Sequence, residues 1–308
     1  MRERGWTAAD VPSQEGRRFV VTGGNSGLGY ESARVLAERG ARVILACRRP
    51  DAGEAAAGRI RALAPAAVVE VAPLDLADLA SVAACARRIA DRLDGRLDGL
   101  VNNAGLMGVP RALTVDGFER QLGVNHLGHF ALTGRLLPCL LAAPQPRVVT
   151  VTSETARFGR IDFADLQGER RYRRWRAYAQ AKLANLLFAL ELDRLARLAG
   201  SALRSLAAHP GYARTGLQGD PERRLRNPSR RLWAWANHLI AQDAAAGAWP
   251  SLRAATDPDA PGGALYGPKR LLRGPAVAQA PPPAARDDAA TRRLWHASER
   301  LTAVTFHW

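Results

Sequence analysis

Three cysteines in 308 residues, Cys47, Cys85 and Cys139, are too few, too scattered and odd in number for a disulfide framework. None stands in a C-x-x-C spacing, so no zinc site is implied, and a reducing cytosol is the natural setting. The chain also lacks any run of eighteen uninterrupted apolar residues, which argues against a membrane-spanning helix. Its apolar stretch FALTGRLLPCLLAAP (130–144) carries Arg135 and Pro138 and reads as buried helix. The N-terminal MRERGWTAADVPSQEGRR has no apolar h-region, so no secretory signal is expected and the location is read as cytoplasmic. There is no internal repeat, and no G-x-S-x-G elbow to support hydrolase chemistry.

What is present is an ordinary globular composition, 47% hydrophobic and 24% charged, sufficient for a sizeable core. Lys and Arg number 44 against 29 Asp and Glu, a net charge of +15 carried almost entirely by arginine. These arginines are spread along the chain, and the only dense run is ERRYRRWR (169–176). With no basic stripe to mark a binding face, nucleic acid is not an expected partner, and an anionic small molecule fits the charge better.

Short apolar runs alternate with helical patterns over the first two hundred residues. Strands are expected at 18–23, 41–47, 67–76, 97–105, 146–153 and 201–211, with a last one at 263–267. Helices are expected near 28–40, 51–63, 79–93, 116–143, 177–200, 242–256 and 290–304, with glycines such as Gly40 and Gly200 at their ends. The stretch 280–288 reads as a loop. Strand–helix alternation of this kind implies an α/β fold: one Rossmann-type, doubly wound parallel sheet with helices on both faces. The whole chain is taken as one domain, with a core over about 17–267. A Trp-bearing substrate lid (Trp233, Trp235) is placed over about 212–250, and a C-terminal extension over 268–308.

Three stretches carry chemistry. TGGNSGLG (22–29) follows the first strand and opens the first helix, the context in which glycines allow pyrophosphate to approach a helix N-terminus. ACRR (46–49) ends the second strand, where an acid would bind the 2′-hydroxyl of NAD and an arginine accommodates the 2′-phosphate of NADP. Arg48 and Arg49 therefore point to NADP(H) over NAD(H). YAQAK places Tyr178 and Lys182 on one helical face. The pentapeptide alone fits either a core tyrosine beside a surface lysine, or a phenol whose pKa is lowered by an ammonium.

At this point the chain resembles the short-chain dehydrogenase/reductase family over about 17–267. The resemblance rests on an ordered set: TGGNSGLG, LDL at 74–76, NNAG at 102–105, VNHLGHF at 124–130, VVTVTS at 148–153, YAQAK and HPG at 209–211. It implies that Tyr178 is the acid/base, that Ser153 holds the substrate oxygen, and that Lys182 binds the nicotinamide ribose and lowers the phenol's pKa. Asn125 would anchor a water in the proton relay. The dinucleotide would be held by Gly23, Asn25, Ser26, Gly27, Leu28, Gly29, Arg48, Asp75, Leu76, Asn103, Ala104 and Gly105. Pro210, Gly211 and Thr215 would lie near the nicotinamide. Ser153 and Tyr178 stand 25 residues apart, longer than the commonest family spacing. The extra segment resembles the retinol dehydrogenase-like and protochlorophyllide reductase-like subgroup, and leaves the substrate open.

His126 and His129, at i and i+3 in HLGH, lack a third ligand nearby, so no metal is expected and packing or hydrogen bonding beside Asn125 is their reading. His209 is read as structural. The expectation is an NADP(H)-dependent oxidoreductase interconverting a carbonyl and an alcohol on a hydrophobic small molecule. A carbon–carbon double-bond reductase, a polyketide-type tailoring reductase and a non-catalytic NADP sensor remain alternatives, and oligomeric state is open.

Overall fold

The computed structural model describes residues 5–211 and 243–308. Thr215 and most of the expected lid, with Trp233 and Trp235, lie outside them. Eight strands form one sheet: β1 (Arg18–Thr22), β2 (Arg42–Cys47), β3 (Val69–Pro73), β4 (Gly99–Asn102), β5 (Arg147–Val151), β6 (Arg204–Ala208), β7 (Leu265–Pro268) and β8 (Ala276–Gln279). Their order is β3-β2-β1-β4-β5-β6-β7-β8. The first seven pair in parallel. Nearly every residue of β1, β2, β4 and β5 is buried, as continuous apolar runs such as FVV and VILA require when both sheet faces are covered.

One face is covered by α1 (Gly27–Glu38), α2 (Pro50–Leu63) and α7 (Ala244–Thr256), the other by α3 (Leu79–Arg92), α5 (Gly128–Leu141) and α6 (Arg174–Leu198). A last helix, α8 (Asp288–Thr302), lies outside α5 and α6. Its Trp295 joins an aromatic cluster, with ring centroids 5.1 Å from Phe130, 5.8 Å from Phe188 and 4.6 Å from Phe306. The C-terminal segment is thus part of the core, because a helix with one apolar stripe must bury it and the α5/α6 face offers the matching surface.

Two expectations are corrected and one is refined. The long helical region expected over 116–143 is helical without a break over 120–141, from a one-turn α4 (Arg120–Leu122) through a π-helical turn at Gly123–Leu127 into α5. The π turn costs backbone regularity and marks a place where the chain departs from its simplest geometry. The sequence reading ended the sheet at 263–267, but β8 follows, antiparallel to β7, its four residues hidden between Pro275 and the proline-rich 281–283. Residues 244–250 belong to α7, which packs against α1 in the core and does not form a lid. The expected loop over 280–288 does contain a 3-10 turn, Pro283–Arg286.

Removing the indole of Trp295, only 6% exposed, should cost on the order of 3–5 kcal/mol because the cluster cannot close over the void. Urea unfolding of Trp295→Ala against the wild type measures this. A loss below about 1 kcal/mol would mean that α8 is an appendage and not core.

Candidate active site

The chain turns from β1 into α1 through Gly23 and Gly27, both at positive φ (65° and 55°). Gly29 is fixed by proximity: a Cβ there would fall 2.4 Å from the Gly23 carbonyl oxygen and 2.5 Å from Asn103 Nδ2. Backbone from β1 and from the β4 exit is therefore in contact at the sheet's carboxyl edge. The opening of α1 differs from those of α3, α7 and α8, each of which has an aspartate side chain (Asp78, Asp243, Asp287) accepting its first amides. Ser26 caps α1 without any side-chain bond. The amides at Gly27, Leu28 and Gly29 are the positive end of that helix, and among the described residues no side chain caps them and no acid stands in the first turn. Asn25 and Ser26 flank this turn, partly exposed. The donor set and the close backbone fit a pyrophosphate.

Arg48 stands just beyond β2, exposed on the same edge. Asp75 follows β3, with Oδ1 accepting from Ala77 N–H at 2.9 Å, and the buried Leu76 reaches the start of α5, where a Cβ on Gly128 would meet its carbonyl at 2.6 Å. Asn103, Ala104 and Gly105 leave β4. The Asn103 and Ala104 amides both donate to Thr22 Oγ1 at 2.9 Å, and Asn103 Nδ2 donates to the Thr22 carbonyl at 2.8 Å. A Cβ on Gly105 would lie 2.8 Å from Asn125 Oδ1 and 3.5 Å from Lys182 Nζ, so the β4 exit, the turn that precedes α5, and α6 converge at one point.

Ser153, Tyr178 and Lys182 meet beside that point. Ser153 caps the 3-10 turn Glu154–Phe158 and accepts from Thr155 N at 3.2 Å and from Thr155 Oγ1 at 3.0 Å. With both bonds arriving at its oxygen, the Ser153 proton is free to point at Tyr178, and Ser153 lowers that phenol's pKa. Lys182, 5% exposed, donates from Nζ to the Val151 carbonyl at 3.0 Å, and its own carbonyl accepts from Thr152 Oγ1 at 2.6 Å. Burial lowers the ammonium's pKa from 10.5 to about 8. Burial also raises the Tyr178 phenol above its ordinary value, with the Ser153 bond pulling it back. The Lys182 ammonium is aimed at the Val151 carbonyl, and desolvation is the larger cause acting on the phenol.

Asn125 lies in the π turn. Its amide is oriented by one residue, Oδ1 accepting from Leu106 N at 2.7 Å and Nδ2 donating to Leu106 O at 3.0 Å. Its backbone carbonyl accepts from His129 Nδ1 at 2.9 Å, while His129 Nε2 is 2.9 Å from Thr22 Oγ1. A carbonyl can only accept, so His129 carries its proton on Nδ1 and Thr22 donates to Nε2. Burial holds His129 near pKa 4 and His126 near 3, so both rings are neutral. His126 bonds Ser298 on α8 at 2.8 Å. The two histidines thus point to different partners, and among the described residues no group of three potential metal ligands occurs.

His209, Pro210 and Gly211 follow β6. His209 Nδ1 accepts from Gly211 N at 3.2 Å, and its Nε2 lies 2.9 Å from Gln279 Oε1 and 3.4 Å from Glu154 Oε2. Its structural role holds, and β8 supplies the partner through Gln279. Sequence reasoning passed over Thr22, Thr155, Gln121 and Tyr172, which orient the site from outside the recognised motifs. It also passed over one available signal: only Lys182 and Lys269 are lysines in a chain that otherwise uses arginine for cations. Where an arginine bias spares a position buried in the site, as at Lys182, an amine is needed there.

Comparison with known proteins agrees with this geometry. The sequence profile described as short chain dehydrogenase matches residues 17–225. The chain is 43% identical over 298 residues to a polyprenol dehydrogenase of Mus musculus, covering 96% of this chain and 86% of that protein. It is 40% identical over 293 residues to Retinol dehydrogenase 13 of Homo sapiens, covering 94% and 85% respectively. A crystal structure of a protein from Mycobacterium paratuberculosis superposes with a TM-score of 0.82 at 46% identity, covering 99% of this chain and all of that one (100%).

With only two lysines, selective 15Nζ labelling gives two amine signals, and the one lost in Lys182→Arg reports this site. It should titrate with a midpoint near pH 8, well below 10.5. A midpoint above 10 would show that the ammonium is not desolvated.

Proposed function

The chain belongs to the short-chain dehydrogenase family, an oxidoreductase family acting on carbonyls and alcohols, and from that premise we propose that it is an NADP(H)-dependent enzyme whose substrate is a hydrophobic small molecule. The observation that carries this reading is the gathering of Ser153, Tyr178 and the buried Lys182 at the carboxyl edge of a parallel sheet, next to the glycine turn.

In the reducing direction the bound dinucleotide supplies hydride, and one proton must reach the new alkoxide. Ser153 and Tyr178 donate to the substrate oxygen, and Tyr178 delivers its proton there. The phenolate that remains is held by the Ser153 hydroxyl and the field of Lys182. The proton is then restored through Lys182. Asn125 would anchor a water in the relay, since its side-chain amide keeps one N–H and one lone pair beyond its two bonds to Leu106. Gly23, Asn25, Ser26, Gly27, Leu28 and Gly29 would hold the pyrophosphate. Asp75, Leu76, Asn103, Ala104 and Gly105 would line the adenine and nicotinamide halves. Pro210 and Gly211, with Thr215 beyond the described residues, would close the nicotinamide side.

Arg48 supports NADP(H) over NAD(H): it is a cation at the end of β2, without an ion pair among the described residues, where a 2′-phosphate would lie. The hydrophobic substrate class is suggested by the alcohols in the relatives' names. Three free, buried thiols suit a reducing compartment such as the cytoplasm. Among the described residues no helix is long and apolar enough to cross a membrane.

Tyr178→Phe should lower turnover of apolar aldehydes by about 10²–10⁴-fold with NADPH affinity kept, read as NADPH consumption and fluorescence titration. An unaltered rate would remove the proton-transfer assignment. Arg48→Ala should weaken NADPH binding about tenfold or more and leave NADH unchanged, since one charge-assisted phosphate contact is worth about 1.5–3 kcal/mol. Equal effects on the two cofactors would overturn the NADP reading.

A further inference from the structure

We propose that Trp175 is the specificity-determining wall of the substrate site, the apolar surface on which the unreacting part of the substrate lies while its carbonyl meets Ser153 and Tyr178. This rests on the reading above and extends it to a residue to which the sequence analysis gave no role.

Trp175 opens α6 three residues before Tyr178, so both side chains share one face of the helix. Their rings meet edge to face, with centroids 6.3 Å apart at 84°. On its other side the indole lies against Gly108 of the β4 exit loop, where a Cβ would fall 2.9 Å from Cη2 and 3.0 Å from Cζ3. The ring therefore bridges the catalytic tyrosine and the loop that follows NNAG. It remains 53% exposed, although it is the largest apolar side chain the protein has. Isolated exposed apolar residues are common and need no explanation. This one differs in what holds it.

Both flanks of Trp175 are clamped by one buried amide. Gln121, fully buried on α4, accepts from Gly108 N at 2.7 Å and donates to the Arg174 carbonyl at 2.9 Å and to Tyr172 Oη at 2.8 Å. An N–H on one side and a carbonyl on the other fix the amide's orientation. Tyr172 Oη donates to the Val109 carbonyl at 2.9 Å, beside the buried Glu119 carboxylate, 3.2 Å away. That carboxylate and burial hold the Tyr172 hydroxyl protonated, its pKa pushed up to about 12. Glu119 in turn accepts from Gln121 N and Leu122 N at 2.9 and 2.8 Å. The segment that lengthens the Ser153–Tyr178 spacing thus ends in a brace. Each of these buried bonds would be costly to break, and together they present a rigid aromatic face next to the reacting phenol. The Arg174 guanidinium lies over the indole, 5.9 Å from its centroid, and exposed Arg173 and Arg176 flank it in the sequence, so the indole is the apolar surface beside Tyr178.

The test uses the full chain, Trp175→Ala and Trp175→Phe, with NADPH and straight-chain aldehydes from propanal to decanal. In Trp175→Ala the KM for decanal should rise about tenfold, as expected for one lost aromatic contact surface of about 1.4 kcal/mol. The KM for propanal, kcat for both and NADPH affinity should stay within about twofold of wild type, because a wall acts on uniform binding. Trp175→Phe should recover most of the loss. Calorimetric binding of decan-1-ol to the enzyme–NADPH complex, a pair that cannot react, supplies a readout independent of turnover. Loss of decanol affinity in Trp175→Ala without any aldehyde reduction by wild type would sustain the wall and overturn the proposed reaction. Equal losses for propanal and decanal, no change for either, or no decanol binding by wild type would overturn the wall.

Discussion

The hydroxyl of Thr22 is the contact on which the site depends. It is wholly buried at the end of β1, accepts the amides of Asn103 and Ala104, and donates to His129, whose other nitrogen binds the Asn125 carbonyl. One oxygen and one ring thus tie the glycine turn, the β4 exit and the π turn before α5. A buried hydroxyl that lost these partners would leave up to three polar groups unsatisfied, at about 1–3 kcal/mol each. The arrangement is rigid because it is completely satisfied, and rigid backbone is what a hydride acceptor and donor need to share a geometry.

Charge is treated in opposite ways at the surface and in the site. Outside, arginines are paired or solvated and contribute little individually. Inside, burial decides: His126 and His129 are driven neutral, Lys182 is brought to about 8, and the Tyr178 phenol is raised. A lysine whose proton is held this loosely near neutral pH can both donate and recover it. An arginine could not, since its guanidinium does not give up a proton. The scarcity of lysine elsewhere in the chain makes its presence at 182 a chemical statement.

The elements added after β6 are structural before they are functional. β8 supplies Gln279 to His209 and so steadies Pro210 and Gly211, while α8 closes the α5/α6 face through Trp295 and accepts His126 at Ser298. Both connect distant sequence to the site's outer wall. Neither contributes a reacting group.

The sequence by itself determined the alternating strand–helix order, the parallel sheet, the glycine turn at β1 and the Ser153, Tyr178 and Lys182 set. These depend on local rules: apolar runs of strand length, glycines where backbone must approach, and two side chains four residues apart on a helix. Tertiary structure alone decided the π turn at Asn125, the antiparallel β8, the packing of α8, and the brace of Glu119, Gln121 and Tyr172 around Trp175. It also decided the direction of the Tyr178 pKa. Each of these depends on which distant groups are brought within about 3 Å and how much water is removed from them, and no local pattern carries that information.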